Sequence, residues 1–476
     1  MSSWVMVLLV SLVALGFAGA GVIHSRGRSI TLEEYITARG SVGALTTAAT
    51  LVASGMGAWI LFGPAEAATW GGLPAILGYA VGSAAPLLAF ILLGRRIRRV
   101  MPEGHTLTEY VWHRYGRGMY LFTLLVMLFY MFVFLAAEVT GMALIANLIA
   151  GVPLWITALI VMAATLAYTT YGGLRASIFT DTVQILLILP LLAAVVVAGY
   201  VLLGGIEPTY AGLAERAPEL AGWGHLAGFE GALTFVIAIL AANLFHQGYW
   251  QRVYAVRDER ALGRGFLISA VVVIPIVFAM GLFGLAAVGL GRADTPSVAL
   301  FSVLLEALPP WLALGLAVLG LALVMSSADT LLNGIASIVA VDLRRVKPDA
   351  PASFLLLASR ISTLVLAVPL LLIASQGYSV LYLLLLADLV CTAAVFPVFF
   401  GLYSERFTGR AAVAGALAGL VAGGLLFPDP AMTRGSLLGA FVVAAAVSVF
   451  VSVVMTPRRS TFDLGQLAKA VRYLDE

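Results

Sequence analysis

The stretch Leu51-Val-Ala-Ser-Gly-Met-Gly-Ala-Trp59 decides how this chain is read. It lies in an apolar segment that begins at Val42 and reaches Gly63, long enough to cross a bilayer. The centre of that segment carries Ser54, Gly55 and Gly57, and Met56 is its only bulky aliphatic residue. Two glycines one residue apart each weaken a helix by about 1 kcal/mol relative to alanine. Backbone at membrane depth must be paired unless it lines a protein cavity or binds something. A weak mid-membrane helix therefore frees carbonyls that can coordinate a cation. Small residues at this spacing serve close helix packing equally well, so the stretch alone leaves both readings open.

The composition around it defines a membrane protein. Of 476 residues, 62% are hydrophobic and only 11% charged, whereas a soluble domain carries roughly 25% charged residues. The fold class expected is an all-α polytopic membrane protein with thirteen transmembrane helices. The spans fall at about 4–24, 42–65, 71–93, 118–148, 152–171, 177–203, 232–253, 266–290, 311–341, 353–375, 378–401, 410–427 and 435–456. With the N-terminus outside, the alternation leaves only Arg216, Arg292 and Arg434 outside among 27 Lys and Arg residues, and the other 24 inside. That asymmetry follows the positive-inside rule and supports the span count together with a cytoplasmic C-terminus. The first run lacks a basic n-region and reads as an uncleaved helix. Residues 298–305 are too short to span and read as a short helix over the outer face. The single cysteine, Cys391, allows no internal disulfide. No Walker-type glycine loop is present, which argues against an ATP-driven pump. A nucleophile motif or metal-ligand cluster is lacking too, and a hydrolase is not expected.

Ionisable groups inside a membrane are costly and usually functional. Glu66, Glu138, Asp181, Asp329 and Asp388 all fall within apolar spans that contain no lysine. Acids without matching cations point to a bound cation, a proton or a cationic ligand as the balance. The alternative is a neutral carboxylic acid bonded to a neighbouring carbonyl, the reading preferred for Asp388. The paired hydroxyls of Ser326 and Ser327 suit a hard cation, which takes several oxygen ligands. Helical serines also bond back to their own helix, so the pair alone is not diagnostic.

Several motifs together resemble the sodium/solute symporter family, and most of all its sodium/proline branch. They are Thr31-Leu-Glu-Glu-Tyr-Ile-Thr-Ala-Arg-Gly40, Tyr168-Thr-Thr-Tyr-Gly-Gly-Leu-Arg-Ala176 running into Phe179-Thr-Asp-Thr-Val-Gln184, Gln251-Arg252, and Val324-Met-Ser-Ser-Ala-Asp329. The resemblance implies two inverted five-helix repeats with broken first helices, the leucine-transporter-like fold, at 42–203 and 232–401. A leading helix at 4–24 and two C-terminal helices at 410–456 complete a single transporter domain. It implies a sodium site built from the carbonyls of Ala53, Met56 and Leu323 and the hydroxyls of Ser326 and Ser327, with Asp181 close by. Leu323 stands where some relatives place another serine for a second ion, so one sodium per cycle is expected. Trp59 matches an aromatic residue that caps the substrate; Ser54, Gly57, Phe134, Glu138, Phe245, Tyr249 and Trp250 are further candidate contacts. Glu138 is the candidate partner of a substrate ammonium. Gly55 replaces an aspartate of the proline branch, and His246-Gln-Gly-Tyr-Trp250 also departs from its pattern.

The expected activity is sodium-coupled import of a small organic solute, an amino acid such as proline foremost, across a plasma membrane (the inner membrane in a bacterium). Sodium is the coupling ion, the partners are the solute and the lipid bilayer, and neither nucleic acid nor an obligatory protein partner is implied. Proton coupling through Asp181, Glu138 or Asp329 is the alternative within the fold. A sensor that binds solute without turnover is the alternative outside it.

Overall fold

A computed structural model describes residues 2–26, 31–429, 434–459 and 462–474, without the side chains of Thr170 and Tyr171. Arg28, counted above among the inside cations, lies outside the described residues. Among the described residues the chain is helical, apart from one isolated backbone pairing of Val42 with Val256. The principal helices are α1 (Ser3–Ser25), α2 (Ala44–Gly55), α3 (Gly63–Val100), α4 (Arg117–Ala150), α5 (Leu154–Leu202), α6 (Leu226–Asn243) and α7 (Gln247–Ala255). They continue as α8 (Glu259–Gly289), α9 (Pro310–Val346), α10 (Ala352–Ala374), α11 (Val380–Phe399), α12 (Gly409–Gly424) and α13 (Leu437–Val454).

Ten helices among the described residues are long and apolar enough to cross a membrane. The remaining three expected spans fall on shorter apolar helices: 44–55, 154–169 and 409–424. Length and composition thus establish ten crossing helices and not the expected thirteen. The shortfall has a local cause at each of the first two. The span at 42–65 stops at Gly55, resumes as a single turn at Ala58–Leu61 and gives way to α3. The span at 152–171 runs straight into the next helix, turning only at Gly173 (φ 57°, ψ −155°). That backbone region is essentially reserved for glycine. A β-carbon at Gly173 would also overlap the Tyr35 ring. Gly72 (φ 61°, ψ −156°) makes the matching turn inside α3, where its missing side chain admits the backbone of Leu220.

The interior is organised around α9. Every side chain from 319 to 338 is buried, polar ones included, and the helix packs on α2, α4 and α5. The periphery is the reverse. Leu8, Leu12 and Leu15 on α1, Val365 and Val368 on α10, and Phe450 and Val453 on α13 stand exposed. An apolar exterior of this extent suits contact with lipid. The apolar patch at 298–305, expected to lie over the outer face, forms the helix Ala299–Ala307, with Leu300, Phe301, Val303 and Leu304 buried and Phe301 against Phe62. It is a packing element.

Candidate functional site

The helix formed by Ala44–Gly55 ends because Gly55 and Gly57 offer no reason to continue and Met56 turns to extended backbone (φ −94°, ψ 97°). Among the described residues, no backbone N–H outside the helices donates to the carbonyls of Ala53, Ser54 or Met56. The Gly55 carbonyl accepts from Trp59 Nε1 at 3.1 Å. The second half of the break is capped from across the bundle: the Ala58 N–H donates to Glu138 Oε2 at 2.7 Å. Gly57 is needed there, since a β-carbon would overlap the Glu138 carboxyl group.

Two serines clasp this break from either side. Ser327 donates to Glu138 Oε2 at 2.7 Å and thereby reaches the Ala58 side. Ser326 donates to Asp181 Oδ1 at 2.5 Å, while Thr50, one turn before the break, donates to Asp181 Oδ2. Ser327 also bonds to the carbonyls of Leu323 (3.0 Å) and Val324 (3.1 Å). The Oε1 of Glu138 is buried with no hydrogen-bond partner. Three free carbonyls and one orphaned carboxylate oxygen in a fully buried place form a donor set that fits a small hard cation.

The acids are not without an internal cation. Arg252, fully buried, pairs with Asp181 (Nη2 to Oδ2, 2.7 Å) and donates to Thr50 Oγ1 at 2.9 Å and Thr330 Oγ1 at 2.9 Å. Thr330 in turn donates to Asp329, which also accepts from Tyr168, Ser177 and Thr180. One guanidinium thus serves a polar core holding Glu138, Asp181 and Asp329. The expectation of acids lacking any matching cation is corrected on this point. Arg252 could have been found, because an arginine closing the segment Gln247-Gly-Tyr-Trp-Gln-Arg252 is as conspicuous as an acid inside a span.

A second interruption faces the first. The helix at Leu226–Asn243 ends, Leu244–His246 turn, and Gln247–Ala255 resumes with the His246 ring accepting from the Gly248 N–H at 3.1 Å. The segment expected as one span at 232–253 is therefore two helices end to end. Between the two interruptions lies a cavity of about 630 Å³ of empty space, its mouth included. Trp59, Tyr79, Tyr130, Phe134, Phe235 and Tyr249 supply its aromatic walls, and Leu51, Gly55, Asn243 and Asp388 are among its other lining residues.

Of the candidate substrate contacts, Trp59, Phe134 and Tyr249 line this cavity. Ser54, Gly57, Glu138, Phe245 and Trp250 do not. Ser54 bonds back to the Thr50 carbonyl at 2.6 Å, and Gly57 and Glu138 face each other behind the break. Phe245 packs on Phe399, and Trp250 is held by its Nε1–H on the Leu244 carbonyl at 2.8 Å and by Phe90. Asp388 stood out in the sequence as an acid in a span but was not assigned to the solute site, and Tyr79 and Tyr130 were missed because their helices carry no recognisable motif at those positions. The bond to a neighbouring carbonyl expected of a neutral Asp388 is not seen: its carboxyl group makes no hydrogen bond or ion pair among the described residues.

An all-helical membrane bundle with two interrupted helices meeting at a buried polar core, beside an aromatic cavity, defines a multi-pass membrane transporter. Sequence comparison gives the family: the profile described as "Sodium:solute symporter family" matches residues 35–423, and the chain belongs to that family. It is a family of transporters and not of enzymes. The spermidine transporter of Candida albicans is 27% identical over 447 residues, covering 88% of this chain and 83% of that protein. The sodium/pantothenate symporter of Escherichia coli is 27% identical over 424 residues, covering 85% and 86%. A sodium/proline symporter, from Haemophilus influenzae, is also a relative at 27% identity over 431 residues, covering 82% of each chain. The same identity to three differently named transporters singles out none of them. Among solved structures, a Na+-coupled sialic acid symporter in a substrate-bound outward-open state superposes with a TM-score of 0.79 at 17% identity, covering 96% of this chain and 99% of that one.

Proposed function

We propose that this protein is a sodium-coupled symporter that imports a small organic solute by alternating access. Thirteen spans in two inverted five-helix repeats, at about 42–203 and 232–401, would place the two interrupted helices as the first of each repeat. The observation that carries the reading is the break after Gly55, where the carbonyls of Ala53, Ser54 and Met56 are left free and the Ser326–Asp181–Thr50 and Ser327–Glu138–Ala58 bridges flank it. Ala53 and Met56, with the Leu323 carbonyl and the two serine hydroxyls, are the proposed sodium ligands; Asp181 holds Ser326 in place. Glu138 belongs with this cation site and not with the solute, given its orphaned Oε1 beside the break. Leu323 in place of a further serine is consistent with one sodium per cycle. The solute enters the adjoining cavity under Trp59. The relatives named above for spermidine, pantothenate and proline leave its class open between a polyamine, a carboxylate and an amino acid. The arginine-rich end of the bundle is proposed to face the cytoplasm, with the N-terminus outside.

Titration of the purified protein with sodium against potassium, at constant ionic strength and fixed pH, tests the coupling ion. A ligand at a hundred times its Kd stabilises the folded state by about 2.7 kcal/mol, so sodium should raise the melting temperature saturably. Ser326→Ala and Ser327→Ala should remove that rise. Equal melting temperatures in both salts, with a response to pH instead, would replace sodium by the proton.

A further inference from the structure

The cavity between the two interruptions has an uneven chemistry. Of its lining residues only Asp388 bears a carboxyl group, and none bears a basic one. That side chain is 5% exposed and, among the described residues, has no hydrogen-bond or ion-pair partner. The arginine nearest in function, Arg252, does not line the cavity and is committed to Asp181, Thr50, Thr330 and the Gly248 carbonyl. A carboxyl group buried without a counter-charge takes up a proton rather than stay ionised, and a cationic ligand that pairs with it displaces that proton. The groups around it suit one kind of ligand. Tyr79, Tyr130 and Tyr249 bring hydroxyls that make no hydrogen bond within the described residues, and Trp59 and Phe134 bring ring faces. Aromatic faces attract cations, more strongly where water is excluded. A solute carboxylate would find no cationic side chain on these walls and would meet Asp388 as a like charge.

We propose that the cavity selects organic cations, with Asp388 as the ion-pair partner of an alkylammonium group and the Trp59, Tyr130, Phe134 and Tyr249 rings as its enclosure. The inference rests on the reading of this cavity as the solute site of a symporter. It moves the role of ammonium partner from Glu138, which is behind the break, to Asp388.

The test uses the full-length purified protein in sodium, with butylammonium, tetramethylammonium and spermidine as cationic probes, pantothenate as an anion and proline as a zwitterion. Thermal shift and isothermal titration read binding. The cations should bind saturably and the anion should not. Asp388→Asn should weaken the cations by roughly tenfold or more, the loss expected for one charged contact, and Asp388→Glu should restore part of it. The sodium-induced shift of Asp388→Asn, unchanged, shows that the variant is folded with its ion site intact. No saturable shift with any of the three cations, or equal cation affinity in Asp388→Asn and the parent, overturns the proposal. If sodium still stabilises the protein in that case, the symporter reading survives while cation selection falls. Cation binding that depends on Asp388 but not on sodium would leave this proposal standing and remove sodium coupling.

Discussion

At the scale of single residues, the polar core behaves as one connected unit. Arg252 and Asp181 are both fully buried and joined at 2.7 Å, so removing either alone leaves an uncompensated buried charge. Such losses are about 3–5 kcal/mol, whereas replacing both partners is far milder. Arg252→Met and Asp181→Asn should each lower the melting temperature markedly, and the double variant should recover much of it in a double-mutant cycle. Additive losses would show that the pair is not coupled. Gly57 is constrained in a different way. Gly57→Ala would drive the Glu138 carboxylate off the Ala58 N–H. It should abolish the saturable sodium response while leaving helix content by circular dichroism unchanged. The sequence exposed much at this scale, and for a clear reason: an acid or a glycine pair in an apolar span is anomalous wherever the fold puts it. Partners were not exposed. That Ser326 meets Asp181, or that Glu138 meets the Ala58 amide, depends on separations of 145 and 80 residues along the chain, which periodicity cannot bridge.

At the scale of elements, the breaks were legible and the turns less so. The glycine pair announced the interruption after Gly55, but Leu244–His246 carries no glycine, and its interruption shows in the structure and not in composition. Gly173 was visible as half of a Gly-Gly pair, yet only its φ of 57° marks it as the residue that turns. Gly173→Ala should cost about 1–3 kcal/mol for the backbone alone, with further loss from the Tyr35 ring, read as a lower melting temperature. The helix Leu32–Ile36 is held by His105, whose two ring nitrogens face Glu33 Oε2 (2.7 Å) and Glu109 Oε2 (3.1 Å). Burial alone would lower the His105 pKa, but the two carboxylates raise it from 6.5 to about 9. Burial alone would raise that of Glu33, but His105 and Arg39 hold it down from 4.5 to about 2. The His105 contribution is complete below pH 6.5 and is lost as pH rises through about 9. That of Glu33 is present above pH 4.5 and lost as pH falls through about 2. Amide exchange at 32–36 should therefore be slowest between about pH 4.5 and 6.5, after correction for intrinsic rates, and loosen toward pH 9. Protection unchanged up to pH 9 would show that this cluster does not hold the helix.

At the scale of the whole molecule, hydropathy and the distribution of arginine were enough to define a multi-pass bundle. Which helix sits at its centre was also implicit: α9 sets Ser326, Ser327, Asp329, Thr330 and Asn333 in its middle, and it is the most enclosed of the ten crossing helices. The cavity was the least legible feature. Its walls come from α2, α3, α4, α6, α7, α8 and α11 and the turn after the first break, one or a few residues each, so no single segment announces it.

The arginine-rich end of the bundle is laced by side chains that donate to main-chain carbonyls. Arg39 reaches Pro102 and Gly104, Arg98 reaches Val253 and Val256, Gln247 reaches His105, and Gln251 reaches Ile36. A carbonyl is present whatever residue bears it. The fastening is thus encoded on one side only, and drift at an exposed accepting position such as Pro102 leaves it intact. A saturation-mutagenesis library selected for surface expression should show that asymmetry, with Arg39, Arg98, Gln247 and Gln251 intolerant and the exposed Pro102 permissive. Equal tolerance at the donors and at Pro102 would mean that the lacing contributes little to stability at this end.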